Sequence, residues 1–240
     1  PAAEVSAAID RDAFDRYILR LDGMYSTKTP GGARYFRSIT GKKELVVTDY
    51  GWEMDVEATG EALYTMLNDA AMKMLVNSGY LEKSASREVA AVWKQEALSH
   101  EKGHDTGMTW AEVDLANQKM RMVVDGEMVL ESNVVTGKGA DRTKLTPPGI
   151  YKIKLKALNR DLKGYNADGS LAYSSHVQYW MPFHNNIGFH DASWRGSFGG
   201  DIHTWYGSHG CVNMPTKNAQ LLYGYVYKDM PVIVYAGTKE

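Results

Sequence analysis

The sequence has a single cysteine, Cys211, among its 240 residues. An internal disulfide is therefore excluded, and packing alone must hold the fold. Apolar residues make up 44% of the chain, which is enough for a core. Excess charge is also lacking. The formal net charge is −2 and Lys and Arg are scattered, which argues against a nucleic-acid partner. No stretch approaches the ~20 apolar residues of a membrane-spanning helix, and no signal peptide is visible. Pro1 stands where an initiator Met would, so the chain reads as an excised fragment with room ahead of it for an export signal or membrane anchor. One thiol suits either side of a membrane and does not fix the compartment.

What is present falls into two textures. Ala7 to Leu21 carries Ile9, Phe14, Ile18 and Leu19 at near-helical intervals and predicts a first helix. Glu44 to Thr48 is β-prone, and Asp49-Tyr50-Gly51-Trp52 turns into Glu53 to Val56. From Glu57 to Asn77 an apolar stripe of period near 3.6 (Ala62, Leu63, Met66, Leu67, Ala70, Met74 and Leu75) predicts a second helix, ended by Ser78-Gly79. Ser84 to Leu98 predicts another. After about residue 108 the pattern changes to short strands: Trp110 to Leu115, Lys119 to Val124, Glu127 to Val135, Ile150 to Leu155 and Pro231 to Tyr235. Asp125-Gly126 is a hairpin signal. Asn159 to Tyr173, with Gly164, Asn166, Asp168 and Gly169, reads as an exposed turn or flap. Only Asn218 to Tyr227 looks helical in this half. The expected organisation is an α+β N-terminal domain, 1–108, followed by a mostly β domain, 109–240.

The lone cysteine sits in Ser208-His209-Gly210-Cys211-Val212-Asn213. Such a thiol is a small core residue, a metal ligand or an activated nucleophile. Ser, His, Gly and Asn are poor companions for an apolar core, and Pro215 marks a junction between elements. Five of the seven histidines (His176, His184, His190, His203 and His209) share this region, which raises zinc as an alternative. Their spacings match no familiar zinc pattern, and there is no H-E-x-x-H helix. A nucleophile needs a base, because a free thiol of pKa ~8.5 is mostly protonated near neutral pH. His190 and His209 are the candidates. N–H groups at Gly210 and Cys211 suit an oxyanion hole. These residues describe acyl transfer through a thioester, with no metal or organic cofactor. His203 reads as an exposed loop residue.

His190 followed at this distance by the Ser208–Asn213 block resembles the signature of the L,D-transpeptidases, whose catalytic domain is of the YkuD type. Three further segments are similar to landmarks of that domain. They are Glu112 to Gln118, Val135-Thr136-Gly137 with Thr146-Pro147-Pro148-Gly149-Ile150-Tyr151, and Ile187-Gly188-Phe189-His190-Asp191. The resemblance covers about residues 109–237, and the segment before it looks like the peptidoglycan-binding domain that often precedes the catalytic one. It implies a YkuD-type β-sandwich that forms 3→3 cross-links in peptidoglycan, with L,D-carboxypeptidase activity when water is the acceptor. Carried over, it makes Cys211 the nucleophile, His190 the base and His209 a support for the thiolate, the oxyanion site or the loop. Ser208 would orient a histidine, and Asn213 would hold the loop or meet substrate. A peptide pocket is expected along Tyr179, Trp180 and Trp194. Peptidoglycan stem peptides are the implied partners and carbapenems the implied covalent inhibitors. The implied location is outside the cytoplasm, in the wall or membrane-anchored at the surface of a Gram-positive bacterium. A zinc-dependent peptidoglycan hydrolase and a non-catalytic wall-binding module stand as alternatives.

Overall fold

The computed structural model describes residues 9–29, 32–69, 88–99, 105–139, 141–165 and 168–239. In chain order the first elements are α1 (Arg11–Tyr25), β1 (Ala33–Arg37), β2 (Lys43–Val47), β3 (Glu53–Met54), α2 (Val56–Asn68) and β4 (Trp93–Gln95). Then come β5 (Trp110–Asp114), β6 (Lys119–Val124), β7 (Glu127–Asn133), β8 (Gly149–Lys152), β9 (Ala157–Tyr165), β10 (Leu171–His184) and β11 (Ile187–Asp191). The last are α3 (Ile202–Tyr206), β12 (Val212–Met214), α4 (Thr216–Tyr225) and β13 (Pro231–Tyr235). They fall into two compact units, one of residues 1–29 and 51–105, the other of 30–50 and 106–240.

In the smaller unit each helix starts on an aspartate. Asp10 and Asp55 accept from the N–H groups of Ala13 and Ala58, satisfying donors that a first helical turn leaves open. Phe14 and Ile18 form the buried stripe of α1, and Phe14 meets Tyr64 of α2 edge-on at 5.6 Å. The stripe expected over Glu57 to Asn77 is helical through Asn68; its remainder and the Ser78-Gly79 stop lie outside the described residues. The expectation of a helix from Ser84 to Leu98 is corrected. Residues 93–95 are strand β4, paired antiparallel to β3, and residues 84–87 lie outside the described residues. Trp93 packs edge-on against Trp52 at 4.9 Å, and this burial overrides the helix propensity of an Ala-rich stretch.

The larger unit contains two packed sheets. One has the order β7-β6-β5-β13-β8 and the other β12-β11-β10-β9. Ala111, Val113, Met120, Met122, Val232 and Val234 of the first meet Met181, Phe183, Phe189, Val212 and Met214 of the second in one apolar cluster, joined by Ala219 and Leu222 of α4. Side chains alternate along a strand, so β5 sends Ala111 and Val113 inward and Trp110, Glu112 and Asp114 to the opposite face.

That opposite face is buried as well, and the cover comes from β1 and β2. Ser38 Oγ and the Ile39 N–H in the turn between them donate to Glu112 at 2.7 and 3.2 Å. Arg121 and the Tyr235 hydroxyl also reach Glu112, and Phe36 packs edge-on against Trp110 at 6.0 Å. A buried carboxylate is tolerable only with such partners. The units divide at 105/106, close to the expected 108, but residues 30–50, expected in the N-terminal domain, group with the second unit. The expected turn from Asn159 to Tyr173 is corrected too. β9 and β10 form a long antiparallel hairpin in which only Asp168 to Ser170 turn among the described residues. No helix among the described residues is long and apolar enough to cross a membrane.

Candidate active site

β11 alternates like any strand. Phe189 enters the core, and His190 faces a cleft of about 500 Å³ in the second unit. His190 is only 4% exposed and lies between Trp180 and Trp194, with ring centroids at 6.0 and 5.9 Å. Its Nδ1 donates to the Asp191 carbonyl at 2.8 Å, which leaves the lone pair on Nε2. Burial pushes the imidazole below its usual value, opposed by the Asp191 carbonyl and charge and reinforced by the charge of Arg195. The Asp191 side chain accepts from the N–H groups of Gln178 and Tyr179, both at 2.8 Å, and so ties β10 to β11.

The cysteine loop is shaped by its own residues. Ser208 Oγ donates to the Cys211 carbonyl at 2.6 Å and accepts from the Gly210 N–H at 3.0 Å. Gly210 has φ +119°, a conformation that side chains with a Cβ rarely adopt. Around the loop, Ser208 bridges to Gly137, while Thr146 Oγ1 accepts from the Gly137 N–H and donates to the Gly210 carbonyl. The two outlying landmarks of the sequence, Val135 to Gly137 and Thr146 to Tyr151, are thus the frame on which this loop rests.

Cys211 is half-buried and lines the same cleft as His190. Its thiol donates to the Asn186 carbonyl at 3.5 Å, and no hydrogen bond joins it to His190 among the described residues. Burial pushes its pKa up to about 11, opposed by a contact with the Gly188 N–H. The resting thiol is therefore protonated, and thiolate forms only when a base takes its proton.

Trp180, Trp194, Ser208, His209 and Asn213 line the cleft. Tyr179 does not. As the neighbour of Trp180 on one strand it points to the other face, where it packs on the core and on Tyr223 at 5.5 Å. The expected role of Gly210 as an oxyanion donor is also corrected, because its N–H is already taken by Ser208. Ser208 braces the loop rather than a histidine. His209 stacks on Tyr173 at 4.7 Å and 28°, and burial, with Lys144, pushes its pKa down. His203, expected on an exposed loop, lies in α3 with a buried Nδ1 that has no hydrogen-bond partner among the described residues. His176 pairs with Asp161 and His184 lies against Tyr151. Among the described residues, no three His, Cys, Asp or Glu side chains are grouped to hold a metal ion.

Sequence reasoning missed Tyr173, Asn186, Tyr206 and Arg195, all of which line the cleft. Only Arg195 left a signal: it is the sole Lys or Arg between Lys163 and Lys217.

A single thiol and a buried imidazole, sharing one cleft on a β-sandwich, define a cysteine acyltransferase site. The family model for the L,D-transpeptidase catalytic domain, YkuD, matches residues 108–234, and the chain belongs to that family. It is a cysteine-dependent peptidoglycan L,D-transpeptidase. Among solved structures, the Ldtfm–avibactam carbamoyl enzyme is 29% identical with a TM-score of 0.71, over 99% of this chain and 85% of that one. A cysteine-to-serine mutant of Enterococcus faecium L,D-transpeptidase is 29% identical with a TM-score of 0.70, over 98% and 86%. No curated protein matches the chain.

Proposed function

We propose that Cys211 is the nucleophile of this transpeptidase and His190 its base. The observation that carries the reading is the pairing, in one open cleft, of a protonated thiol with an imidazole whose Nε2 holds the lone pair. The donor is a tetrapeptide stem. Sγ attacks the carbonyl of its third residue, a diamino acid, while His190 Nε2 takes the thiol proton. The Cys211 N–H meets the developing oxyanion. The terminal D-alanine leaves with the proton from the imidazolium, and a thioester remains. An amine from a neighbouring stem then attacks the thioester, loses its proton to His190, and forms the 3→3 cross-link. Water in place of the amine gives L,D-carboxypeptidase activity. Trp180, Trp194 and Asn213 contact the donor, and His209 holds the loop through its stack on Tyr173.

This chemistry requires no metal or organic cofactor. Its substrate lies outside the cytoplasm, at the surface of a Gram-positive cell. The smaller unit binds peptidoglycan. Carbapenems enter the same cleft and acylate the thiol. Intact-mass spectrometry after mixing with a carbapenem is expected to show one adduct on Cys211 and none in Cys211→Ala. An adduct that survives the substitution would refute the assignment.

A further inference from the structure

Asn213 lies between His190 and Arg195, and only one orientation of its amide satisfies both. In that orientation Nδ2 donates to His190 Nε2 at 3.0 Å, and Oδ1 accepts from Arg195 Nε at 2.8 Å and Nη2 at 3.3 Å. The reverse would set donors against the guanidinium and an acceptor against the imidazole lone pair. Arg195 is itself anchored. Its Nη1 donates to the Tyr206 carbonyl at 2.8 Å, and its guanidinium lies over the Tyr206 ring at 4.5 Å. A guanidinium carries no acceptor and does not lose its proton in proteins, so it dictates which end of the amide turns away from it.

We propose that Arg195 is a positioning residue that acts through Asn213: it aims the amide N–H at His190 Nε2, so that the base rests in its proton-accepting form with its lone pair capped. The inference rests on His190 being the base. It explains why the thiol bonds to the Asn186 carbonyl at rest. A neutral imidazole has one in-plane lone pair, and it cannot accept the thiol proton while the Asn213 N–H occupies it. A donor arriving in the cleft must draw the amide away before the proton moves from Sγ to Nε2. The cap costs speed at low occupancy and spares the thiol from activation in an empty site.

The charged and titratable groups around His190 come from several elements. Asp191 follows it on β11, Arg195 comes from the next loop and Cys211 from the cysteine loop; Asp161 and Lys163 of β9, Tyr173 of β10, Tyr206 and His209 line the same cleft, but only Asp191 and Arg195 shift His190 by their charge. Arg195 and the Asn213 N–H both favour the neutral imidazole. Removing either therefore moves His190 to a higher pKa.

The test is the pH profile of carbapenem acylation in the full chain, with Arg195→Met, Arg195→Lys, Asn213→Ala and the Arg195→Met/Asn213→Ala double variant. Arg195→Met is expected to move the acid limb up by about one pH unit, because a nearby positive charge and a hydrogen bond to the neutral form are both lost. Asn213→Ala should move it in the same direction. Relative to Arg195→Met, the double variant should lack the hydrogen-bond part of the Asn213→Ala shift, because the two act as one unit. Arg195→Lys keeps the charge without the two-pronged grip and should give a smaller shift. A pH-independent fall in rate, or shifts that simply add, would overturn the proposal. Nitrogen NMR of His190 in Cys211→Ala provides a readout that needs neither turnover nor a folded Arg195 variant. The Nδ1–H tautomer with a hydrogen-bonded Nε2 is expected at neutral pH, and an Nε2–H tautomer would overturn the proposal. If His190→Ala is acylated like the parent, the parent reading falls. If it is not, and the limb stays put in Arg195→Met, only this inference falls.

Discussion

At the scale of single residues, the proposed chemistry turns on two groups that are both held neutral. Burial raises the Cys211 thiol to about 11 and depresses His190 below 6.5. The sign of the pH dependence follows. Wild-type acylation should rise as His190 loses its proton, on a limb below about pH 6.5, and then level off. In His190→Ala only hydroxide makes thiolate, so the rate should climb about tenfold per pH unit through the neutral and mildly alkaline range. Stopped-flow acylation across that range checks this, and parallel profiles for the two proteins would remove His190 as the base. That Cys211, His190 and the loop around them share one cleft was legible because they stand close together in the chain. Tyr173, Asn186 and Tyr206 were not, because a tyrosine or asparagine in a strand, helix or turn looks the same whether or not the fold carries it to a cleft. Tyr179 failed for a simpler reason: its strand shows one face to the site, and Trp180 occupies it.

At the scale of elements, the cysteine loop depends on close backbone approach. A Cβ at Gly137 would lie 2.0 Å from the Lys144 carbonyl oxygen and 2.7 Å from the Thr146 nitrogen. Both atoms are main chain and cannot swing aside. Gly137→Ala should therefore push Thr146 off the Gly210 carbonyl, cost about 1–3 kcal/mol of stability and slow acylation with little change in the pH profile. Thermal melts and acylation rates test it, and wild-type values for both would show that the frame is not needed. Strand signals in the second half were read well where alternation and turn residues agreed, as at Lys119 to Asn133 around Asp125-Gly126. They were misread at β9, where polar and glycine residues sit in a strand exposed on much of its length. In the first half the strand at β4 was misread as helix, because tertiary pairing there outweighs local preference.

At the scale of the whole molecule, the chain crosses between its units more often than a simple two-domain reading allows. Residues 30–50 sit among segments of the smaller unit in sequence, yet cover Glu112, Trp110 and Tyr235 in the larger one. No composition shift marks the crossing, because the hairpin has the alternation of any β-segment. A chain starting at residue 109 should keep the catalytic cleft and melt at least about 4 °C below the corresponding transition of the full chain, since its buried carboxylate loses Ser38 and Ile39. Calorimetry of the two proteins decides it, and equal transitions would mean that water replaces the hairpin without loss.

The strand order of the larger sheet has a consequence for synthesis. β13 lies inside it, between β5 and β8, yet follows the other four strands of the sheet in the sequence. A ribosome leaves the first hairpin and most of the sandwich waiting for that strip of five residues. The transpeptidase sheet closes only once that strand has been made, so a nascent chain stopped short of Pro231 carries every residue of the proposed acylation chemistry and no finished sheet to hold them.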